Sequence, residues 1–365
     1  MRIARKGFSL RDLDWLLFLA ALALAALGIL EIYSTTMHTA LAGEYKKQMC
    51  WVLMGMVIAF VLSQINYHLI SDHVIVLYAL TVLALIVLLA GGHRVGGVRR
   101  WLSFGGLTLQ VSEIAKLVII ICVAAYFAAR RGRAVAWKDL AALAFMVGIP
   151  AALVALEPDL GTALTLFPAA AAGVFLAGIR LRKLAILGLA AVLMLPVGWH
   201  LLRPYQRERL MTFVHPAENT RSSSYQVTQS KIAIGSGGLW GKGAGKGTQS
   251  QLGFIPVSHA DFIFAAFAEE QGFGGTVVVL LLYFILMVRL LDGAQFAGDR
   301  AGAFFIVGLT SVLFFQVAVN VGMMIGFFPI TGIPLPLMSQ GGSSVLFTFM
   351  GLGLAMGIKK RRFVN

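Results

Sequence analysis

Apolar residues occupy this chain in long blocks rather than at alternate positions or in one stripe per helical turn. Ten blocks stand out, at about 15–34, 48–65, 73–91, 111–129, 139–156, 160–178, 184–202, 268–288, 302–326 and 342–358. A run of roughly 20 apolar residues is long enough to cross bilayer hydrocarbon as a helix. The pattern predicts an all-α polytopic membrane protein with about ten transmembrane helices, residues 1–365 forming a single integral membrane domain. Residues 203–262, between the seventh and eighth blocks, stay polar and predict one large loop outside the membrane. Its start, Arg203-Pro204-Tyr205-Gln206-Arg207-Glu208-Arg209, reads as a short amphipathic surface helix, and Tyr225 to Ile234 has helical spacing. Then come the glycines of Gly235 to Thr248, which mark a mobile or tightly turning backbone.

Composition agrees. Apolar residues make up 59% and charged residues 13%, against about 25% charged in soluble domains, and mean hydropathy is +0.84. A soluble enzyme, a disordered chain and a disulfide scaffold are excluded. Cys50 and Cys122 both sit in apolar runs, and the seven histidines form no close ligand pair, so no metal is expected. The net charge of +14 would suggest nucleic acid in a soluble protein. Here it reads as orientation signal and attraction to anionic headgroups, and nucleic acid is set aside as a partner. The basic stretch Arg2, Arg5, Lys6 and Arg11 resembles the start of a signal peptide. The run after it is too long, and Asp12 and Asp14 interrupt it, so the first block is expected as an uncleaved span.

With the N-terminus inside, the inside segments carry seventeen Lys and Arg and the short outside loops five. The positive-inside rule then puts both termini in the cytoplasm and 203–262 outside. The glycine run invites a phosphate-loop reading, which fails. Trp240 and Ser236 stand where a Walker motif needs Gly, and both Lys242 and Lys246 are followed by Gly.

Charge at membrane depth is costly and therefore informative. Glu113 and Lys116 open the fourth block at i, i+3, on one helix face. Glu157 and Asp159 flank Pro158 in the turn before the sixth. A Glu113–Lys116–Asp159 cluster is expected on the outer side, either as a structural ion-pair staple or with a direct catalytic part. Asp261 lies where the long loop re-enters the membrane, between His259 and the aromatic Phe262 and Phe264. Desolvation there raises a carboxyl pKa, which suits a general base; a helix cap is the alternative. Glu269 and Glu270 follow, and at least one should face the interior as polar glue between helices. Arg94, Arg99, Arg100, Arg203, Arg207, Arg209, Lys242 and Lys246 form the basic side of the same surface, either a headgroup-contacting face or a site for an anionic lipid-linked substrate.

These residues fall into motifs. Arg100-Trp101-Leu102 stands before Gln110-Val111-Ser112-Glu113-Ile114-Ala115-Lys116. Glu157-Pro158-Asp159-Leu160-Gly161-Thr162-Ala163 follows, then Tyr225-Gln226 with Gln229-Ser230-Lys231-Ile232-Ala233-Ile234-Gly235-Ser236-Gly237-Gly238. His259-Ala260-Asp261-Phe262-Ile263-Phe264 comes next with Glu269-Glu270-Gln271-Gly272. The last stretch is Gly332-Ile333-Pro334-Leu335-Pro336-Leu337 through Ser339-Gln340-Gly341-Gly342-Ser343-Ser344. In this order they resemble the SEDS (shape, elongation, division, sporulation) proteins of bacteria over essentially the whole chain. Gln229-Ser230-Lys231-Ile232, Gly247-Thr248-Gln249-Ser250-Gln251 and Thr331-Gly332-Ile333-Pro334 resemble the elongation (RodA) branch more than the division (FtsW) branch. Val111, Ala260 and Gln340 depart from the usual Pro, Thr and Tyr.

The resemblance implies a peptidoglycan glycosyltransferase of the cytoplasmic (inner) membrane that polymerises lipid II, with the catalytic aspartate falling on Asp261. Arg100, Arg207, Lys242, Lys246, Ser339 and Ser343 are then candidate substrate contacts. A class B penicillin-binding protein is the implied partner, within an elongation complex with MreC, MreD, RodZ and MreB. No cofactor is implied with certainty; a divalent cation could assist diphosphate departure, but no ligand set is legible. Rival readings are a division-type polymerase, a lipid II flippase, which would need charge at the membrane midplane, and a scaffold, which would not need Asp261.

Overall fold

The computed structural model describes residues 13–91, 93–95, 98–104, 107–130, 134–214, 223–255 and 257–361, with the backbone alone for 93–95, 98–100, 102–104, 107, 201 and 223. The basic stretch Arg2 to Arg11 lies outside the described residues.

The chain begins with α1 (Trp15–Thr36), α2 (Glu44–Gln64), the short α3 (Tyr67–Asp72) and α4 (Val74–Gly91). An antiparallel meander follows: β1 (His93–Val95), β2 (Val98–Phe104) and β3 (Leu107–Gln110), ordered β1-β2-β3, with Trp101 opposite Gln110. The block pattern did not predict it, because three short strands in a loop leave no long apolar run. A local signal was present: Trp101 to Phe104 and Leu107 to Gln110 stand either side of Gly105-Gly106, a common hairpin separator.

Then come α5 (Val111–Ala128) and α6 (Trp137–Leu156). The predicted sixth span, 160–178, is not one helix. It divides into α7 (Leu160–Leu164) and α8 (Phe167–Leu176). Pro168 has no N–H for the carbonyl of Leu164, and the Thr165 hydroxyl closes the first piece on Thr162 O at 2.6 Å. After α9 (Leu181–Leu201) the 203–262 segment holds α10 (Pro204–Val214), α11 (Ser223–Ser236) and α12 (Thr248–Gln251). The chain ends with α13 (Ile263–Gln295), α14 (Arg300–Ile325) and α15 (Gly342–Lys360). Among the described residues nine helices are long and apolar enough to cross a membrane, and the broken α7–α8 pair is the tenth apolar stretch.

Helix α5 is the centre of the bundle and is buried almost all round, whereas α9 buries none of its span. A mostly apolar helix that buries none of its residues belongs against lipid. Helix α15 lies against α2 at backbone distance: a methyl on Gly353 would stand 2.5 Å from Ala59 O, so the glycine is what lets the two helices meet.

At the end of the bundle where α1 begins and α15 ends, Asp14 caps α1 by accepting from the Leu17 N–H at 3.2 Å. It also pairs with Arg289 of α13 at 2.9 Å and Lys359 of α15 at 2.8 Å. Burial works to raise the Asp14 pKa, but hydrogen bonds from Lys359, Arg289 and the Leu17 N–H outweigh it and hold the carboxyl below its ordinary range. A carboxyl whose folded pKa lies below its unfolded value, about 3.9, stabilises fully above that value and loses the effect as pH falls through the folded pKa. In detergent, Asp14→Asn is therefore expected to melt below wild type near neutral pH, with the gap closing in strong acid. A gap of constant size across that range would contradict the linkage.

Candidate active site

A cavity of about 550 Å³ opens at the end of the bundle where residues 203–262 lie. Its wall takes Asp261 from the re-entry of the long loop, Glu113 from α5 and Asp159 from the α6–α7 turn. Ser343 of α15, Arg209 of α10, Trp101 and Gln110 of the meander, and the strap Pro329 to Pro334 complete it. The volume is in the range of small-ligand pockets.

Each element sets one of these groups. Asp261 immediately precedes Phe262, the N-cap of α13. Its backbone carbonyl accepts from Asn320 Nδ2 at 3.1 Å, and the same amide holds Ile333 O of the strap at 2.8 Å. Ser339 donates to Ala260 O at 2.7 Å and accepts from the Leu335 N–H at 2.8 Å. Asn320 and Ser339 are buried, so the peptide bearing Asp261 is fixed from behind on both sides. The strap between α14 and α15 is non-helical backbone among buried Ile333, Leu335, Leu337 and Met338. Irregular backbone persists in a membrane protein only when it is enclosed in protein or lines a cavity, and this strap does both. A methyl on Gly332 would come 3.5 Å from Asp261 Oδ2, which places the carboxylate against the strap.

Asp159 accepts from the Thr162 N–H at 3.1 Å, capping α7, and from Gln110 Nε2 at 3.0 Å. The Gln110 N–H donates to Ser343 Oγ at 2.8 Å. Glu113 pairs with Lys116 at 2.7 Å, with side chains 4% and 0% exposed, and the Lys116 ammonium lies 4.3 Å from the centre of the Phe347 ring. Of the expected three-membered cluster, Glu113 and Asp159 line the cavity and Lys116 backs Glu113. Gln110 is the link from Asp159 across to α15.

The candidate substrate contacts divide. Ser343 is in the wall, and Ser339 stands behind it. Arg207 donates to Trp199 O at 3.0 Å and His200 O at 2.7 Å, where it caps the end of α9. Lys242 pairs with buried Glu269 at 2.7 Å, and Lys246 is an exposed turn residue. None of these three lines the cavity. The Arg100 side chain lies outside the described residues. Glu269 and Glu270 are both buried and also stand outside the wall. Burial pushes the pKa of nearby His259 down, with the Glu44 charge opposing. The sequence reading missed Asn320 as the clamp on Asp261, and Gln110 as the bridge. Both are neutral amides in apolar or motif contexts, and neither carries a charge signal. Among the described residues no three His, Cys, Asp or Glu side chains stand together as a metal site.

A multi-pass helical bundle with carboxylates gathered in a cavity at one end defines the class. The chain matches the FtsW, RodA and SpoVE family of cell cycle proteins over residues 14–363, and it belongs to that family. It is 36% identical over 351 residues to the peptidoglycan glycosyltransferase MrdB of Escherichia coli K12, covering 96% of this chain and 94% of that protein. It is 30% identical to the peptidoglycan glycosyltransferase RodA of Treponema pallidum, covering 96% and 98%. A probable peptidoglycan glycosyltransferase FtsW of Trichlorobacter lovleyi is 34% identical, covering 98% and 96%. Among solved structures, one chain from work on how a peptidoglycan synthase complex coordinates polymerization and crosslinking superposes with TM-score 0.83 at 30% identity, covering 97% and 99%. The rod shape determining protein RodA of Thermus thermophilus superposes with TM-score 0.72 at 29% identity, covering 96% and 98%.

Proposed function

We propose that this multi-pass membrane protein is a peptidoglycan glycosyltransferase that polymerises lipid II, with Asp261 as general base. The observation that carries the reading is the placement of Asp261: a carboxylate held by its own backbone at the mouth of a broken helix, opening into a cavity large enough for sugar. The acceptor 4-hydroxyl attacks the anomeric carbon of the growing chain. Its proton passes to Asp261, the new C–O bond forms in the β configuration, and the bond to phosphate breaks with its electron pair leaving on undecaprenyl pyrophosphate. Diphosphate departs without needing a proton, so one base suffices where ordinary glycoside hydrolysis uses two carboxyls. Arg209 and Ser343 in the wall are suited to meet the anionic and hydroxyl parts of the substrate.

The likeness to a chain from a synthase complex supports a cross-linking partner, which we take to be a class B penicillin-binding protein, with MreC, MreD, RodZ and MreB as further members of an elongation assembly. Identity alone does not divide the elongation from the division branch, since MrdB and the FtsW relatives lie within a few per cent; the RodA-like motifs favour elongation. Reconstitution with a cognate penicillin-binding protein and labelled lipid II tests the reading. Glycan polymer on a gel is expected, whereas translocation without polymer would make the chain a flippase.

The same reading needs the cavity on the outer face of the cytoplasmic membrane, with both termini in the cytoplasm. In a Cys50→Ala background, Cys50 being exposed and Cys122 buried, an impermeant thiol reagent added outside should label Thr228→Cys on α11 and spare Arg182→Cys at the start of α9. The reverse pattern would put the cavity on the side where lipid II is made and sink the assignment.

A further inference from the structure

The glycine-rich segment after α11 neither hangs free nor lines the cavity. It is inserted into a helix. At Gly272, with φ 68° and ψ −166°, α13 breaks after the buried half-helix Ile263 to Gln271. In an unbroken helix the N–H of Phe273 would donate to Glu269 O and that of Gly274 to Glu270 O. Instead the loop takes both sides of the opened ladder. Lys242 N–H donates to Glu269 O at 3.0 Å and Gly243 N–H to Glu270 O at 2.9 Å. Phe273 N–H donates to Gly238 O at 2.8 Å and Gly274 N–H to Leu239 O at 3.0 Å. Approach this close demands glycine: a methyl on Gly241 (φ 78°) would lie 2.1 Å from Glu270 O.

Side chains lock the insertion. Glu269, fully buried, accepts from Lys242 Nζ at 2.7 Å, from the Gln249 N–H at 2.9 Å and from the Ser250 N–H at 3.1 Å. Glu270 accepts from Ser34 of α1 at 2.6 Å, and Ser34 in turn accepts from the Gly245 N–H at 2.9 Å. Asp261 lies two residues before the other end of the same half-helix, which spans roughly 12 Å from Ile263 to Gln271 at about 1.5 Å per residue. Asn320 and Ser339 hold the peptide just before the half-helix, and with no continuous helical ladder beyond Gly272 the loop's hydrogen bonds hold its broken end.

We propose that Lys242 is a positioning residue: through Glu269 and the inserted glycine loop it sets the axial seat of the half-helix, and thereby the place of Asp261 in the cavity. This rests on the general-base reading of Asp261. A misplacement of about 1 Å costs on the order of 10²-fold in rate. The test compares wild type, Lys242→Met, Lys242→Arg and Asp261→Asn, each purified and reconstituted with the cognate penicillin-binding protein, by lipid II polymerisation per folded molecule. Lys242→Met is expected to lose roughly 10- to 100-fold in kcat with KM within about twofold, and Lys242→Arg to recover most of it. If Lys242→Met does not fold, Glu269→Gln, which keeps shape and one accepting oxygen, is read in its place with the same expectation. Unchanged kcat per folded molecule, or a raised KM at unchanged kcat, overturns the proposal. Lys242→Met at wild-type rate beside an inactive Asp261→Asn condemns the positioning role alone. An active Asp261→Asn condemns the base reading itself.

Discussion

Asp261→Asn should fold, insert and make no glycan polymer from lipid II. The amide keeps the shape of the carboxylate and removes its basicity. The groups that fix the peptide, Asn320 on Asp261 O and Ser339 on Ala260 O, bond to backbone and are untouched. Loss of a general base typically costs about 10²- to 10⁴-fold. Wild-type rate against pH should show an acidic limb that the residual rate of the variant lacks. Polymerisation at near wild-type speed would remove the assignment. Because none of His259, Glu269 and Glu270 lines the cavity, the other two carboxylates of its wall, Glu113 and Asp159, would then be the next residues to test.

Lys116→Ala should cost stability as well as activity. The Glu113–Lys116 pair is buried on both sides and closed over by Phe347, so removing the ammonium strands a carboxylate beside the cavity. Breaking a buried pair from one side typically costs about 3–5 kcal/mol, visible as a lower melting temperature in detergent. The double variant Glu113→Gln with Lys116→Met removes both charges and should regain much of that loss, because the desolvation cost disappears together with the attraction. It should not regain activity if Glu113 serves the cavity wall. Full stability with lost activity in Lys116→Ala would instead put the lysine on substrate.

The membrane class and most span positions were legible in residue order, since crossing hydrocarbon imposes a length on every apolar run. The sixth span was not, because hydropathy sums over a window and is blind to Pro168 and to the hydroxyl of Thr165, which end one helix and begin another. The meander was missed for a related reason: strands of three to seven residues sit below the length that a span search registers. Asp261 drew attention by itself, as a carboxylate next to Phe262 and Phe264.

The basic residues were a different case. Lys242, Lys246 and Arg207 read as a basic face, because in a sequence a cation shows only its charge. Arg207 spends its donors on the end of α9, and Lys242 on Glu269, twenty-seven residues away.

What the chain determined by itself is therefore everything set by local cost: apolar length for the spans, charge bias for the expected orientation, and the rarity of acid at membrane depth for Glu113, Asp159 and Asp261. Tertiary structure alone decided that Glu113 and Asp159 face the same cavity as Asp261, that Asn320 and Ser339 hold its peptide, and that the glycine run enters the broken ladder of α13. Those outcomes depend on pairings between residues tens to hundreds of positions apart. A buried polar group must find a partner somewhere, but which partner it finds is a property of the packed bundle.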